Sequence, residues 1–437
     1  MKSFRYYIFK LIDVLKGGQL ADNLKDIARC HSDLIYQQEK QKERLSLLLT
    51  YATLHCSRYK SYRDRSLADF PVVKKRDIMD SHEDFFSEEY LATKQKLHIM
   101  ATSGSTGTPF RSYQDSKKVL RNKADLLYYY RIGGYYPGDR LYYFRIWNKR
   151  NKKSRLQCFI QNLVMFDSSV LGNNGLQALQ EIMQKDRRRK VILSYASTLI
   201  GLLKESNTFI NASNWRVKSI FSGAEELPIP VKHRLQSMFC CPVISRYSNQ
   251  ENGILAQQPA TGEDYFVLNE ASYVFEFLKL ESDMPAEPGE DARIVITDLY
   301  NYACPMIRYD TGDIGVYSIK DGRRILDRIS GRVVDLLVSE DGELISAHTI
   351  TNMMWLFEGI KEFQFTQLKK DHCIMTLSLQ EGKDFSREEK LSLTKNIQDV
   401  IGSGVSVDIN IVKDIPLEPS GKRKYIKSLV LVKQPRI

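Results

Sequence analysis

The sequence predicts an α/β protein: a large multi-layer α/β N-terminal domain with a β subdomain, followed by a small α+β C-terminal domain. Two observations carry this. Between residues 116 and 249, helical patterns alternate with short apolar runs such as VILSYAS, VKSIF and PVISRYS. Such alternation builds a largely parallel sheet with helices packed on its faces. From about residue 263 the texture changes to short strands separated by turns (YFVLN, SYVFEFL, ARIVITDL, GVYSI), the mark of antiparallel pairing. The expected boundaries are 1–327 for the large domain, its β-rich part at about 263–327, and 328–437 for the small one. The length, 437 residues, suits one large domain plus a small one.

At the start, Phe4, Ile8, Leu11 and Leu15 fall at helical spacing, and Gly17-Gly18 stops the pattern. Lys and aromatic residues flank this stripe, so residues 4–15 read either as a helix docked on its own domain or as one lying on a membrane surface. A second helical pattern spans 33–56. Pro71, in LADFPVVKKRDIMD, breaks the chain before another helix. Residues 97–101 read as a strand running into TSGSTGTP. Asp115 or Ser116 then caps a helix through about Tyr130. Gly133-Gly134 ends that helix, and LYYFRIW is a buried strand. Helices follow at QALQEIMQK, near 198–206 and near 229–239. The aromatics of 128–147 fit core packing better than base stacking, because they follow strand and helix periods.

Composition excludes several classes. Apolar residues make up 43% and charged residues 27%, which is ordinary globular usage. No run of roughly 18 apolar residues exists to span a membrane. The seven cysteines are odd in number and scattered without a CxxC pair, and the start lacks the long apolar core of a secretory signal. A cytoplasmic protein with free thiols is expected. The net charge of +11 is concentrated in 148–155 (+5), 185–190 (+4) and 416–437 (+5). The first two runs read as solvated loops rather than a nucleic-acid groove, so no nucleic-acid partner is expected. The seven histidines form no HxxxH pair, and His233 with Cys240 and Cys241 reads as structural.

The segment Thr102-Ser103-Gly104-Ser105-Thr106-Gly107-Thr108-Pro109 supplies five hydroxyls, two glycines and no acid. Glycine permits positive φ, so successive N–H groups can converge on an anion, and the hydroxyls add donors suited to a polyphosphate. The GKS or GKT of a Walker loop is missing. Four further segments follow in order: Ser222-Gly223-Ala224-Glu225-Glu226, Tyr247-Ser248-Asn249-Gln250-Glu251, Tyr309-Asp310-Thr311-Gly312-Asp313 and Asp327 to Arg332. Ser420-Gly421-Lys422-Arg423-Lys424 closes the series.

In this order the set resembles the adenylate-forming superfamily, and within it the phenylacetate–CoA ligase branch with its CapK-type members linked to capsular polysaccharide biosynthesis. FPVVKKRDI, about 30 residues before TSGSTGTP, is typical of that branch. The resemblance covers about residues 65 to 430. It implies an adenylate-forming enzyme fold and an acid–thiol ligase. A carboxylic acid and ATP with Mg²⁺ would give acyl-AMP and pyrophosphate, and coenzyme A would then take the acyl group as a thioester. It implies that Thr102, Ser103, Gly104, Ser105, Thr106 and Gly107 hold the ATP phosphates, and that Gly223, Ala224 and Glu225 border the adenine. Tyr247 would stack on the base, Glu251 would ligate Mg²⁺ and Asp313 would hold the ribose hydroxyls. Arg332 would contact ribose or phosphate, and Lys422 would stabilise charge at the α-phosphate from a mobile small domain. An acyl acceptor other than CoA (an amine or a carrier-protein thiol) and a decayed nucleotide-binding scaffold stay open.

Departures from the family pattern are YSNQE in place of YGxTE, and GRVVD, with Val334, in place of GRxDD. The acid pocket is expected near segment 140–170, with Tyr142, Phe144, Trp147, Phe166 and Tyr195 as candidate walls that equally suit core packing.

Overall fold

The computed structural model describes residues 3–91, 97–101, 110–145, 147, 152–167, 176–205, 212–223, 226–332, 337–342, 344–345, 350, 353–354, 357, 359–416 and 425–430. The chain divides into two compact units. One comprises 1–279, 283–311 and 316–328; the other comprises 280–282, 312–315 and 329–437.

The first unit opens with three helices, α1 (Phe4–Leu15), α2 (Gln19–Ser32) and α3 (Leu34–His55). The Asp33 side chain accepts from the Tyr36 N–H and so starts α3 where α2 ends. The Asp13 carboxylate accepts from the Leu20 and Ala21 N–H groups, so the last turn of α1 caps the N-terminus of α2. Two short helices, α4 (Lys75–Asp80) and α5 (Glu88–Leu91), precede a two-stranded antiparallel ribbon, β1 (His98–Ala101) with β2 (Arg111–Gln114). Then come α6 (Ser116–Ile132), β3 (Arg140–Arg145), α7 (Arg155–Gln161), β4 (Leu163–Asp167), α8 (Leu176–Lys185) and β5 (Lys190–Tyr195). After these follow α9 (Ala196–Glu205), β6 (Val217–Gly223), α10 (Ile229–Phe239) and β7 (Val243–Asn249). As the sequence predicts, α6 is capped by Asp115, whose side chain accepts from the Lys118 N–H.

Strands β4, β3, β5, β6 and β7 lie side by side and parallel. The sheet continues through antiparallel β8 (Gly253–Gln257) and β9 (Phe266–Leu268). It reaches β13 (Arg323–Arg332), β12 (Tyr309–Lys320), β11 (Asp291–Asp298) and β10 (Tyr273–Leu278). Eleven strands thus form one hydrogen-bonded sheet among the described residues. The turn from β7 to β8 needs Gly253, whose φ is +105° and whose missing Cβ leaves room for Asn122 Oδ1.

One expectation is met and one corrected. The strand expected at 97–101 forms as β1 and pairs with β2 in a separate ribbon, with Ala101 opposite Arg111. Residues 102–109, the phosphate-loop sequence, lie outside the described residues. The basic run 185–190 is not all solvated. Lys190 is buried, and its ammonium donates to the carbonyls of Met183 and Asp186, acceptors left at the end of α8, and to that of Trp215. Burial lowers its pKa.

The second unit contains β14 (Leu337–Val338) paired with β15 (Leu344–Ile345), then β16 (Ile360–Lys369), β17 (His372–Leu379), α11 (Arg387–Ile401), β18 (Ser406–Val412) and β19 (Ile426–Ser428). Its four-stranded sheet has the order β18-β17-β16-β19; β16 and β17 are antiparallel and the outer strands join in parallel. Phe363, Phe365, Met375, Leu377, Leu393 and Ile397 are among the residues of its core. The buried Gln367 amide bonds both the N–H and the C=O of Val338, fastening the small hairpin to the sheet.

Candidate active site

The parallel strands β3, β5, β6 and β7 end on one edge, where open α/β sheets bind ligands. Tyr195, the last residue of β5, is in register with Gly223, the last residue of β6. A Cβ on Gly223 would meet nothing within 4 Å, so the strand ends against open space. β6 and β7 are aligned with Ser222 beside Ser245, which puts Tyr247 just past the end of β6. Tyr247 is largely buried; its hydroxyl donates to Thr311 Oγ1 at 3.2 Å, and Thr311 in turn donates to the Ile294 carbonyl. The buried Oγ atoms of Ser222 and Ser245 and the Asn249 Nδ2 have no hydrogen-bond partner among the described residues. Unused polar groups of this kind at a strand edge fit a polar ligand.

Glu251 follows in the β7–β8 turn and is 6% exposed. Its Oε1 accepts from the fully buried Tyr309 hydroxyl at 2.9 Å. Its backbone carbonyl accepts from Gln114 Nε2 at 2.9 Å and Ser112 Oγ at 3.4 Å, both on β2. The strand that follows residues 102–109 is thereby bonded to the turn that carries the carboxylate. Tyr309 is fixed from the other side: Val73, in the FPVVKK segment, bridges Arg308 and Asp310 through backbone bonds of 2.9 and 2.8 Å. Arg308, at φ +49°, anchors this bridge by bonding the Ala68 and Phe70 carbonyls and Glu276.

Behind the turn lies a buried polar network. Lys118 pairs with Asp298 at 2.6 Å and donates to the Tyr273 hydroxyl at 2.9 Å. The Tyr273 hydroxyl donates to the Asn252 carbonyl. Burial raises the pKa of Tyr273 well above the usual phenol value, so it stays a donor. Arg121 bonds Ser272, the Ala271 carbonyl and Asp26, and the network ties α2 and α6 to the antiparallel strands.

One residue at this edge escaped the sequence reading. Arg145 ends β3, and its guanidinium carbon lies 5.4 Å from the ring centroids of both Tyr143 and Trp147 and 6.0 Å from that of Tyr195. Its Nε is buried without a hydrogen-bond partner among the described residues. The available signal was a lone cation at the end of an aromatic strand. Of the five candidate walls, Trp147 and Tyr195 flank this guanidinium. Tyr142 does not: its hydroxyl donates to Asp186, and its side chain is buried. Phe144 and Phe166 are core, with ring centroids 4.9 Å apart.

The structure thus brings Gly223, Tyr247 and Glu251 to one strand edge. Asp313 lies within β12, half-buried, and is grouped with the second unit. Arg332 ends β13; its side chain lies outside the described residues, as do Thr102, Ser103, Gly104, Ser105, Thr106, Gly107, Ala224, Glu225 and Lys422. Among the described residues no cluster of three His, Cys, Asp or Glu side chains can hold a metal, so Glu251 stands as a single carboxylate. That suits Mg²⁺, which keeps several waters and is commonly held by one or two carboxylates together with substrate phosphates.

Comparison with known proteins bears on the fold. Residues 337–429 match the model of the CapK C-terminal domain. Protein CapK of Staphylococcus aureus is 24% identical over 376 residues, covering 82% of this chain and 80% of its own length. Among solved structures, 2-hydroxyisobutyryl-CoA ligase in the postadenylation state with R3-HIB-AMP aligns over 91% of this chain and 90% of its own, at 17% identity and a TM-score of 0.70. ATP-bound MatB from Rhodopseudomonas palustris aligns over 74% of this chain and 65% of its own, at 15% identity and a TM-score of 0.55. This chain therefore has the fold of the adenylate-forming enzymes, a large α/β domain followed by a small α+β one, with a CapK-type C-terminal region.

Proposed function

We propose that the protein activates a carboxylic acid with ATP to an acyl-adenylate and passes the acyl group to coenzyme A, as a phenylacetate–CoA ligase does, in the service of surface-polysaccharide biosynthesis. The observation that carries this reading is the assembly at one strand edge of Gly223, Tyr247 and Glu251, with β2, the strand that follows the hydroxyl-rich segment, bonded to the Glu251 carbonyl. The solved relatives of the same fold bound R3-HIB-AMP or ATP, which supports the substrate class. The CapK likeness supports the pathway.

In this reading the acid's carboxylate oxygen attacks the α-phosphorus and pyrophosphate leaves; the thiol of coenzyme A then attacks the acyl carbon and AMP leaves. No side chain acts as nucleophile, so the protein contributes positioning and charge stabilisation. Thr102, Ser103, Gly104, Ser105, Thr106 and Gly107 hold the β- and γ-phosphates. Gly223, Ala224 and Glu225 border the adenine, Tyr247 covers its face, and Asp313 accepts from the ribose hydroxyls. Bound at Glu251, Mg²⁺ would neutralise phosphate charge; Tyr309 holds that carboxylate in place. The large domain, 1–327, does this binding. The small domain, 328–437, brings Lys422 to the α-phosphate, with Arg332 at the hinge, and swings away for the thiol step. The acid lies against Trp147, Tyr195 and Arg145, a cation boxed by aromatic rings and suited to an acid with an aromatic or hydroxylated body.

The test is AMP release by the purified protein with ATP, Mg²⁺ and a panel of aryl, aliphatic and hydroxy acids, with and without CoA. AMP and acyl-CoA appearing in equal amounts support the reading. AMP formed only with an added amine would refute the CoA step, and ATP binding without turnover on any acid would refute the enzyme.

A further inference from the structure

An apolar surface remains that the strand-edge site does not use. Helix α1 has no buried residue, yet Phe4, Tyr7, Ile8, Leu11, Ile12, Val14 and Leu15 are all exposed, Phe4 and Leu15 by 78% and 77%. At 3.6 residues per turn these seven side chains occupy one continuous arc of about 160°. The opposite side is the docked one. Tyr6 packs edge-on against Tyr136, Phe9 lies against the cluster around Leu20 and Ile27, and the Asp13 carboxylate caps α2. Arg5 sits against Gly138, where a Cβ would come within 2.6 Å of it. The helix is thus held by its polar and aromatic side, and its apolar side is aimed outward.

A second element adds to the same surface. Helix α7 exposes Leu156, Phe159 and Ile160, by 67%, 70% and 59%, at i, i+3 and i+4 spacing. The Arg5 guanidinium lies 5.2 Å from the Phe159 ring centroid, so the two helices are neighbours. Isolated exposed apolar residues are ordinary; ten on two touching helices are not. The charged residues that flank the apolar arc on α1 and lead into α7 are cations. Arg5 and Lys10 border the arc on α1, Lys16 follows it, and Lys152, Lys153 and Arg155 lead into α7. The only acid within α1, Asp13, is turned inward on α2.

We propose that α1 and α7 form a docking surface for an anionic lipid bilayer, with both helices lying in the headgroup region and the cations among the lipid phosphates. An apolar face rimmed by cations is the arrangement that partitions into such an interface, with apolar burial and attraction to anionic lipid adding together. A second copy of the chain is a poorer occupant, because it would bring the same cations together without acids to pair them. The contact is peripheral: no helix is long and apolar enough to cross a membrane among the described residues.

The experiment is co-sedimentation of the full chain with vesicles of phosphatidylcholine alone or mixed with phosphatidylglycerol. Leu11→Glu, Phe159→Glu and the pair Lys152→Glu with Lys153→Glu are compared with wild type. All four positions are exposed, so unchanged thermal melting serves as the folding control. Binding is expected to the mixed vesicles, to fall at high salt, and to weaken about tenfold or more in each variant. No binding to the mixed vesicles, or binding that all the variants keep, overturns the proposal. Self-association in lipid-free solution that Leu11→Glu abolishes also overturns it, and would assign the face to a second copy.

Discussion

Replacing Tyr309 by Phe removes one oxygen from a fully buried ring and takes from Glu251 the hydroxyl that donates to its Oε1 at 2.9 Å. The carboxylate is 6% exposed, so water does not easily substitute for the lost donor. A hydrogen bond to a charged group contributes about 1.5–3 kcal/mol, against roughly 0.5–1.5 for a neutral one. In urea, with a slope of about 3 kcal/mol/M, the midpoint should fall by roughly 0.5–1 M. If Glu251 holds Mg²⁺, the misaligned carboxylate should also raise the Mg²⁺ concentration for half-maximal adenylation by about tenfold or more, since 1.4 kcal/mol is a factor of ten. The maximal rate at saturating Mg²⁺ should change less. Tyr317→Phe is the control: that hydroxyl donates to the Ala286 carbonyl at 3.0 Å on a half-buried residue and should cost about 0.5–1.5 kcal/mol with no change in Mg²⁺ requirement. A Tyr309→Phe protein with an unshifted midpoint and an unshifted Mg²⁺ requirement would refute the link from Tyr309 through Glu251 to the site.

Three other predictions follow from the same structure. Lys118→Met strands Asp298 as a buried, uncompensated charge, so urea denaturation should register a loss of about 3–5 kcal/mol, and adding Asp298→Leu should restore part of it. His31 lies against Tyr128 and Tyr129; burial, then Arg323 and Arg121, lowers its pKa to about 4. The unfolded chain, with an ordinary His near 6.5, therefore binds more protons between those values. Stability should be full above about pH 6.5 and fall by up to about 3 kcal/mol as pH drops toward 4, a slope that His31→Gln should flatten in pH-dependent melts. Asp313→Ala should weaken ATP binding by about 1.5–3 kcal/mol, measured by calorimetry; unchanged affinity would remove Asp313 from the ribose role.

Much of the fold was legible because its signals are local. Asp115 before an apolar-periodic run announces α6, and the alternating runs 190–195, 217–223 and 243–249 announce parallel strands whose ends gather Gly223 and Tyr247. What the sequence hid is pairing. Residues 98–101 read as a strand, but only their partner, β2, turns them into a ribbon whose exit strand bonds the Glu251 carbonyl. Lys190 looked solvated because three carbonyls, distant or near in sequence, converge on it only in the fold. Arg145 stayed hidden for the same reason: Tyr195, fifty residues on, completes its aromatic box from the neighbouring β5. The stripe at 4–15 was legible as a helix; that its docked side is Tyr6, Phe9 and Asp13, leaving the apolar side outward, is a fact of packing.

The central claim is that this chain forms an acyl-adenylate. The most direct measurement is exchange of labelled pyrophosphate into ATP, with Mg²⁺ and a panel of acids but without CoA, beside Lys422→Ala as the blank. Adenylation predicts exchange that depends on one class of acid and falls by roughly 10²–10³ in Lys422→Ala, where charge stabilisation at the α-phosphate is lost. Exchange absent with every acid, although ATP binds, or equal in Lys422→Ala, would contradict it.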